Sequence, residues 1–202
     1  MAWTGECLIL ASSSAARQRL LADAGLEFRI EPVRIDEGEI KCRFVAAGRS
    51  ASDCALALAE AKARQVASDH PGGLVIGADQ ILVCRDAWFD KPASLADARC
   101  QLQALRGHTH QLVTAACVVR EQACIWQGET SANLTMREFS DTFLDTYLAA
   151  EGIAILGSVG AYRLEGRGIQ LFAQVEGDYF AILGLPLLEL LGFLRERGAL
   201  LS

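Results

Sequence analysis

Apolar residues in this chain come in short runs whose spacing switches repeatedly between that of a strand and that of a helix. The first run, Leu8 to Ala11, stops at Ser12-Ser-Ser14 and resumes with helical character from about Ala15 to Ala24, where Gly25 ends it. That order predicts a strand, a polar turn and a helix. Phe28 to Pro32 reads as extended and leads into an acidic turn, Ile35-Asp-Glu-Gly38. Leu56, Leu58, Ala59, Ala63 and Val66 predict a helix over 51–68; Pro71-Gly-Gly73 breaks it, and Leu74 to Asp79 follows as a short buried strand. Gln80 to Trp88 continues extended around a turn at Arg85-Asp86, then Ser94 to Leu105 is helical and Gly107 ends it. A hairpin pair, His110 to Val119 and Ala123 to Ser131, precedes a further strand at Leu134 to Phe139 and a helix from the cap Ser140 to Ala150, closed by Gly152. A glycine-rich turn over Arg163 to Gly168 leads to strands at Ile169 to Val175 and Tyr179 to Leu183, and Leu187 to Arg197 is the last helix.

This alternation predicts an α/β fold: a mixed central sheet flanked by helices, in a single domain over 1–202, with an active-site cleft between two lobes. No repeat, low-complexity tract or linker interrupts it. With 202 residues, 51% of them hydrophobic, the chain can bury one sizeable core. A net charge of -6 and a pI near 5.1 argue against a binder of nucleic-acid polymers, which needs a basic footprint. A small nucleotide is a different matter, because a few local cations suffice to hold it. The seven cysteines are odd in number and form no Cys-x-x-Cys pair, so neither a disulfide framework nor a zinc ribbon is expected, and most read as reduced core residues. Met1 to Glu6 carries no basic leader, and the most membrane-like stretch, Tyr179 to Leu194, is interrupted by Pro186 and Glu189 and too short to span a bilayer. A cytoplasmic protein with no membrane segment is the expectation.

Three places carry candidate chemistry. The serine turn ends at a helix N-terminus, where unpaired amides and the helix dipole favour an anion, and Arg17 and Arg19 follow where acidic residues are more usual. The plainer reading of the serines is an N-cap. Asp79 ends an apolar strand among small residues, placed to hold a metal or orient water, or simply to cap a turn. Asp36 and Glu37 are adjacent carboxylates, common as surface charge and also as partial magnesium sites. Lys62 and Lys91, the latter fixed by Pro92, are candidate phosphate clamps, although isolated lysines usually face solvent. His108 and His110 share the spacing of one strand face, but without a third ligand nearby a structural or surface role fits them better. The chain contains no Gly-x-x-x-x-Gly-Lys-Ser/Thr loop, no Gly-x-Ser-x-Gly elbow and no His-Glu-x-x-His helix. Hydroxyls, Arg17, Lys62 and Lys91 for phosphates, with Glu37 and Asp79 for a divalent cation, make a parts list for phosphoryl chemistry.

An ordered set of segments resembles the Maf family of nucleoside triphosphate pyrophosphatases over nearly the whole chain. These include Leu10-Ala-Ser-Ser-Ser-Ala-Ala-Arg17, Ile35-Asp-Glu37, Ala59-Glu-Ala-Lys62-Ala63, Gly77-Ala-Asp79, Lys91-Pro92, Gly160-Ala-Tyr162, Glu165-Gly166, Glu176-Gly-Asp-Tyr179 and Gly184-Leu-Pro-Leu187. The resemblance implies a mixed α/β fold like that of the inosine triphosphate pyrophosphatases, often a homodimer. It implies cleavage of a nucleoside triphosphate between the alpha and beta phosphates to a monophosphate and pyrophosphate, with a divalent cation (Mg, Mn or Co). By position, Ser14 and Arg17 correspond to a triphosphate-binding loop, Lys62 and Lys91 to phosphate clamps, Glu37 to a metal or water ligand, and Asp79 to the catalytic carboxylate and metal ligand.

The departures from that family pattern are informative. Ala15 and Ala16 stand where the family commonly has Pro and Arg, and Arg19 points elsewhere on the helix. Gln80 and Glu165 resemble the branch associated with 7-methylguanosine triphosphate, and a carboxylate at Glu165 suits a guanine edge or a cationic methylated ring. The competing expectation, motivated by the missing arginine, is a catalytically weak nucleotide-binding regulator linked to cell division. A pure interaction protein that uses its apolar C-terminal segment explains none of the polar residues.

Overall fold

The computed structural model describes residues 6–200; the reading of Met1 to Glu6 therefore falls, Glu6 apart, outside the described residues. In chain order the elements are β1 (Leu8–Leu10), α1 (Ala15–Asp23), β2 (Arg29–Ile30), α2 (Glu37–Ala46), α3 (Ala51–Ala67), β3 (Leu74–Cys84) and β4 (Ala87–Phe89). They continue as α4 (Leu95–Leu105), β5 (Thr109–Arg120), β6 (Ala123–Met136), α5 (Asp141–Glu151), β7 (Phe172–Glu176), α6 (Tyr179–Ile182) and α7 (Leu187–Glu196), with short 3-10 turns between α5 and β7. The strands pair in the order β2-β1-β3-β5-β6-β7, with β4 on β3. β1 runs parallel to β2 and β3, whereas the β3–β4 and β6–β7 pairs are antiparallel. This is the mixed sheet with helices that the alternating periods predict.

Helix starts follow side-chain chemistry. Ser14, Asp36, Ser50, Ser94, Ser140 and Asp178 each accept a backbone N–H from the residue three further on, supplying a partner that the first turn lacks.

The chain forms two compact units, one of residues up to Gln80 with Thr114–Thr130 and the segment from Asp178 onward, the other of Ile81–Val113 and Ser131–Gly177. In the first, the period of two sends alternate strand residues to opposite faces. Leu8, Leu10, Leu74, Ile76, Ala116 and Val118 pack with Leu20 and Leu21 of α1 and with Leu187, Leu190 and Leu194 of α7. Ile9, Val75, Cys117 and Val119 pack with Ala59, Ala63, Val66 and Ala67 of α3. The small alanines let α3 lie close to the sheet. A buried leucine such as Leu190 contributes roughly 1.5–3 kcal/mol relative to exposure.

The second unit has its own buried centre. His110, Tyr162 and Phe172 cluster with ring centroids 5.6, 5.9 and 4.8 Å apart. His110 Nε2 lies 2.7 Å from the Tyr162 hydroxyl, and burial pushes the imidazole pKa down to about 4. Nearby, the Glu151 carboxylate is buried and accepts Arg163 Nη2 at 2.7 Å.

Several expectations are corrected. Tyr179 to Leu183 is no strand: Asp178 caps Ala181 N–H at 2.7 Å, and the backbone closes into α6. The acidic turn at Ile35 to Gly38 is the start of a helix, with Asp36 as cap and Glu37 as first residue of α2. The two strands expected over 123–139 are one, β6, because pairing continues through Leu134 to Met136. β7 begins at Phe172, since Arg167–Leu171 winds into a 3-10 turn. Of the seven free cysteines, Cys54, Cys84 and Cys117 are buried while Cys7, Cys42 and Cys100 are exposed, so the core takes fewer than expected. Among the described residues no helix is long and apolar enough to cross a membrane.

Candidate active site

After β1 the chain turns through the three serines into α1. Ser14 caps the helix by accepting Arg17 N–H at 3.5 Å. Ser12, buried beneath the turn, accepts both Ser14 N–H and Arg17 Nη1 at 3.2 Å. Arg17 also donates from Nη1 to the Ala78 carbonyl at 2.9 Å and from Nε to the Gly184 carbonyl at 2.8 Å. Two of its three nitrogens are thus spent on the protein, and the guanidinium is fixed beside Ala78 in the middle of β3; the strand does not end at Asp79 as expected but runs on through buried Ile81 and Leu82 to Cys84. Gly184 sits at φ +106, and a Cβ there would lie 3.1 Å from Arg17 Nε, so glycine serves both the turn and the arginine. Desolvation lowers the Arg17 pKa, opposed by the charges of Asp79 and then Glu37. Arg19, in contrast, is exposed and pairs with Asp23 one turn along at 3.4 Å.

On β3, Gly77 and Asp79 share the face that carries Val75, and α3 covers that face. A Cβ on Gly77 would come within 2.0 Å of the Ala59 carbonyl and 2.9 Å of Ala63 Cβ, so the helix backbone approaches as closely as a missing side chain permits. Lys62, between those alanines in sequence, reaches Asp79 Oδ1 at 2.5 Å and Glu37 Oε1 at 2.6 Å. Side-chain exposure rises from 7% at Asp79 through 10% at Lys62 to 43% at Glu37, which makes Glu37 the solvent-facing member. Asp79 Oδ2 is buried without a hydrogen-bond partner. The nearby Cys54 thiol is pushed up to about 11 by burial and then by the Asp79 charge, so it is no nucleophile at neutral pH.

Among the described residues no group of three or more His, Cys, Asp or Glu could hold a metal ion. Two carboxylates are present, however, and one keeps a buried oxygen unsatisfied. That donor set fits a hard cation taking one or two protein oxygens and completing its shell with phosphate oxygens and water.

The structure therefore brings together Arg17, Glu37, Lys62 and Asp79, with Ser14 in the capping turn. Lys91 and Glu165 are both exposed and belong to the second unit. Gln80 donates from Nε2 to Thr114 Oγ1 at 2.8 Å and to the carbonyls of Ala181 and Ile182 at 3.0 and 3.1 Å, so its amide nitrogen serves the fold. His108 and His110 form no metal pair: His108 Nδ1 lies 3.3 Å from Arg85 Nη2, whereas His110 is buried against Tyr162. Sequence reasoning did not single out Ser12 or Gly77 as site-building residues. A glycine inside an apolar strand was the available signal for the second.

The family model for Maf-like proteins matches residues 7–197. The chain belongs to the Maf family. Among curated Maf relatives, a protein named nucleoside triphosphate pyrophosphatase from Paramagnetospirillum magneticum is 52% identical over 192 residues, covering 95% of this chain and 99% of its own. Another of that name from Rhodospirillum rubrum is 51% identical over 195 residues, covering 96% of each chain. A 7-methyl-GTP pyrophosphatase from Rhizobium johnstonii is 49% identical over 193 residues, covering 96% of this chain and 97% of that one. A solved HAM1 protein from Coxiella burnetii gives a TM-score of 0.38 at 17% identity, over 65% of this chain and 73% of its own. In this Maf chain Ala15 and Ala16 open α1, and Arg17 follows them beside the serine turn.

Proposed function

We propose that this protein is a nucleoside triphosphate pyrophosphatase, hydrolysing the bond between the alpha and beta phosphates to release a nucleoside monophosphate and pyrophosphate. The observation that carries the reading is the Lys62 ammonium held between Asp79 and Glu37, with the second Asp79 oxygen buried and unpartnered. Membership of the Maf family and the names of relatives at about half identity support the same chemistry.

Hydrolysis of a phosphoanhydride needs an oriented water and neutralisation of the charge that gathers on the leaving pyrophosphate. Water adds to the alpha phosphorus, the bridging oxygen departs with pyrophosphate, and Asp79 Oδ2 is the acceptor for the water proton. Lys62 and Arg17 offset charge on the phosphates, and Ser14 contributes its turn at the positive end of α1. Glu37 and Asp79 would hold a divalent cation, Mg, Mn or Co, which when bound supplies Lewis-acid charge to phosphate oxygens. Lys91 is assigned to a phosphate and Glu165 to the base, where a carboxylate accepts the N–H donors of guanine or of its 7-methyl form. The protein so proposed acts on small nucleotides in the cytoplasm as a homodimer, without a nucleic-acid or membrane partner.

The test is pyrophosphate release from a panel of common and N7-methylated nucleoside triphosphates with each of the three cations, beside an Asp79→Asn control. Turnover by the native protein that the control lacks is expected. Nucleotide binding without turnover under every cation would overturn the reading in favour of the regulator.

A further inference from the structure

Each of the two site carboxylates offers an oxygen to the same nitrogen, Lys62 Nζ, at 2.5 and 2.6 Å. A divalent cation seeks those same oxygens, so ammonium and metal compete for them. The side chain of Lys62 is only 10% exposed and rises from a helix backbone packed against Gly77, so it cannot hand its charge to bulk water without losing both partners. A triphosphate supplies what it needs: a dense cluster of anionic acceptors that can take the ammonium while the carboxylates turn to the metal. Arg17, locked to the carbonyls of Ala78 and Gly184, has no comparable choice and stays in place.

We infer that Lys62 is the site's built-in counter-cation, holding Asp79 and Glu37 until a nucleoside triphosphate draws it away, so that metal and nucleotide enter cooperatively. The inference rests on the proposed nucleotide chemistry and adds to it an order of events. Because coupling between two ligands is reciprocal, the metal must tighten the nucleotide by the factor with which the nucleotide tightens the metal.

The experiment is Mn2+ binding to the full chain, read from the electron paramagnetic resonance of the free aquo ion, alone and with an alpha,beta-methylene guanosine triphosphate that cannot be cleaved. The native protein should bind Mn2+ at least about tenfold more tightly with the analogue than without it. The analogue chelates Mn2+ itself and does so equally for every variant, so the deciding arm is the metal alone. There Lys62→Met should bind Mn2+ about tenfold or more tightly than the native protein, because two site carboxylates have lost their cation, and the analogue should tighten Mn2+ less in this variant than in the native protein. Lys62→Arg keeps a cation and should stay as weak as the native chain. Thermal melts establish that each variant is folded, and Lys62→Gln stands in if the methionine variant is not. Equal Mn2+ affinity of folded Lys62→Met and native protein overturns the inference, as does a native protein that binds the analogue yet gains no affinity for Mn2+. If no triphosphate is cleaved and the analogue does not bind, the proposed function fails, while the metal-alone comparison still decides whether Lys62 guards the carboxylates.

Discussion

Asp79 and His110 each bury a polar atom without a hydrogen-bond partner, Oδ2 in one and Nδ1 in the other, yet their surroundings are opposite. Asp79 faces the ammonium of Lys62, with Glu37 beyond it towards solvent and the desolvated Arg17 guanidinium feeling both carboxylate charges. His110 faces aromatic rings and a tyrosine hydroxyl, and burial keeps it neutral. The difference teaches that an unsatisfied buried atom points to chemistry only where charge converges on it. Among rings the same deficit is a cost of packing, offset by the area the rings remove from water.

Substitution at the two centres tests this contrast most strongly. Asp79→Asn should lower pyrophosphate release by about a thousandfold, the scale of losing a general base or a charge-stabilising group, with the fold retained in thermal melts. His110→Gln, which can still reach the Tyr162 hydroxyl, should leave turnover within a few-fold. A loss of turnover in this variant without loss of stability would break the comparison.

The pH dependence separates the centres next. The His110 pKa is lower in the folded chain than in the unfolded one, so the unfolded state takes the proton first as pH falls. Stability contributed by the neutral imidazole is complete above about 6.5 and is lost progressively down to about 4, a change on the order of 3 kcal/mol. Denaturant titrations across that window should show the slope in the native protein, and His110→Gln should flatten it.

Packing behind the charged centre is the third test. Gly77→Ala places a Cβ against the Ala59 carbonyl and must push α3 off β3, which should cost roughly 1–3 kcal/mol and lower turnover by drawing Lys62 from Asp79. Gly192→Ala, on α7 where a Cβ meets nothing within 4 Å, should instead stabilise by about 0.5–1 kcal/mol and leave turnover alone. The smallest effect belongs to Arg19→Ala. Its exposed pair with Asp23 makes a stability change beyond about 0.5 kcal/mol unexpected, and activity should be unaltered.

Much of the frame was legible because it depends on local rules. Serine before an apolar helical run predicted the starts of α1 and α5, and the turn at Arg85-Asp86 matches residues at φ 50 and 66 in a two-residue hairpin. The helix at Glu37–Ala46 was missed because all of its residues stay at least partly exposed, leaving no apolar stripe to betray it. Tyr179 to Leu183 misled for the opposite reason: a short apolar run has no period of its own, and the Asp178 cap decided for helix. Within the candidate site, Arg17, Lys62 and Asp79 were visible as residue types in order, but not the carbonyls that absorb two nitrogens of Arg17.

The sequence by itself determined most of the alternation of strand and helix, the caps at Ser14 and Ser140, and which residue types bring charge to the site. Each of those depends on neighbours a few positions apart. The tertiary structure alone decided that Gly77 admits the α3 backbone, that Lys62 is shared between Asp79 and Glu37, and that Asp79 keeps one oxygen without a partner. Distances between side chains far apart in sequence are set by how closely a helix can lie on a sheet, and that closeness depends on shape on both sides at once.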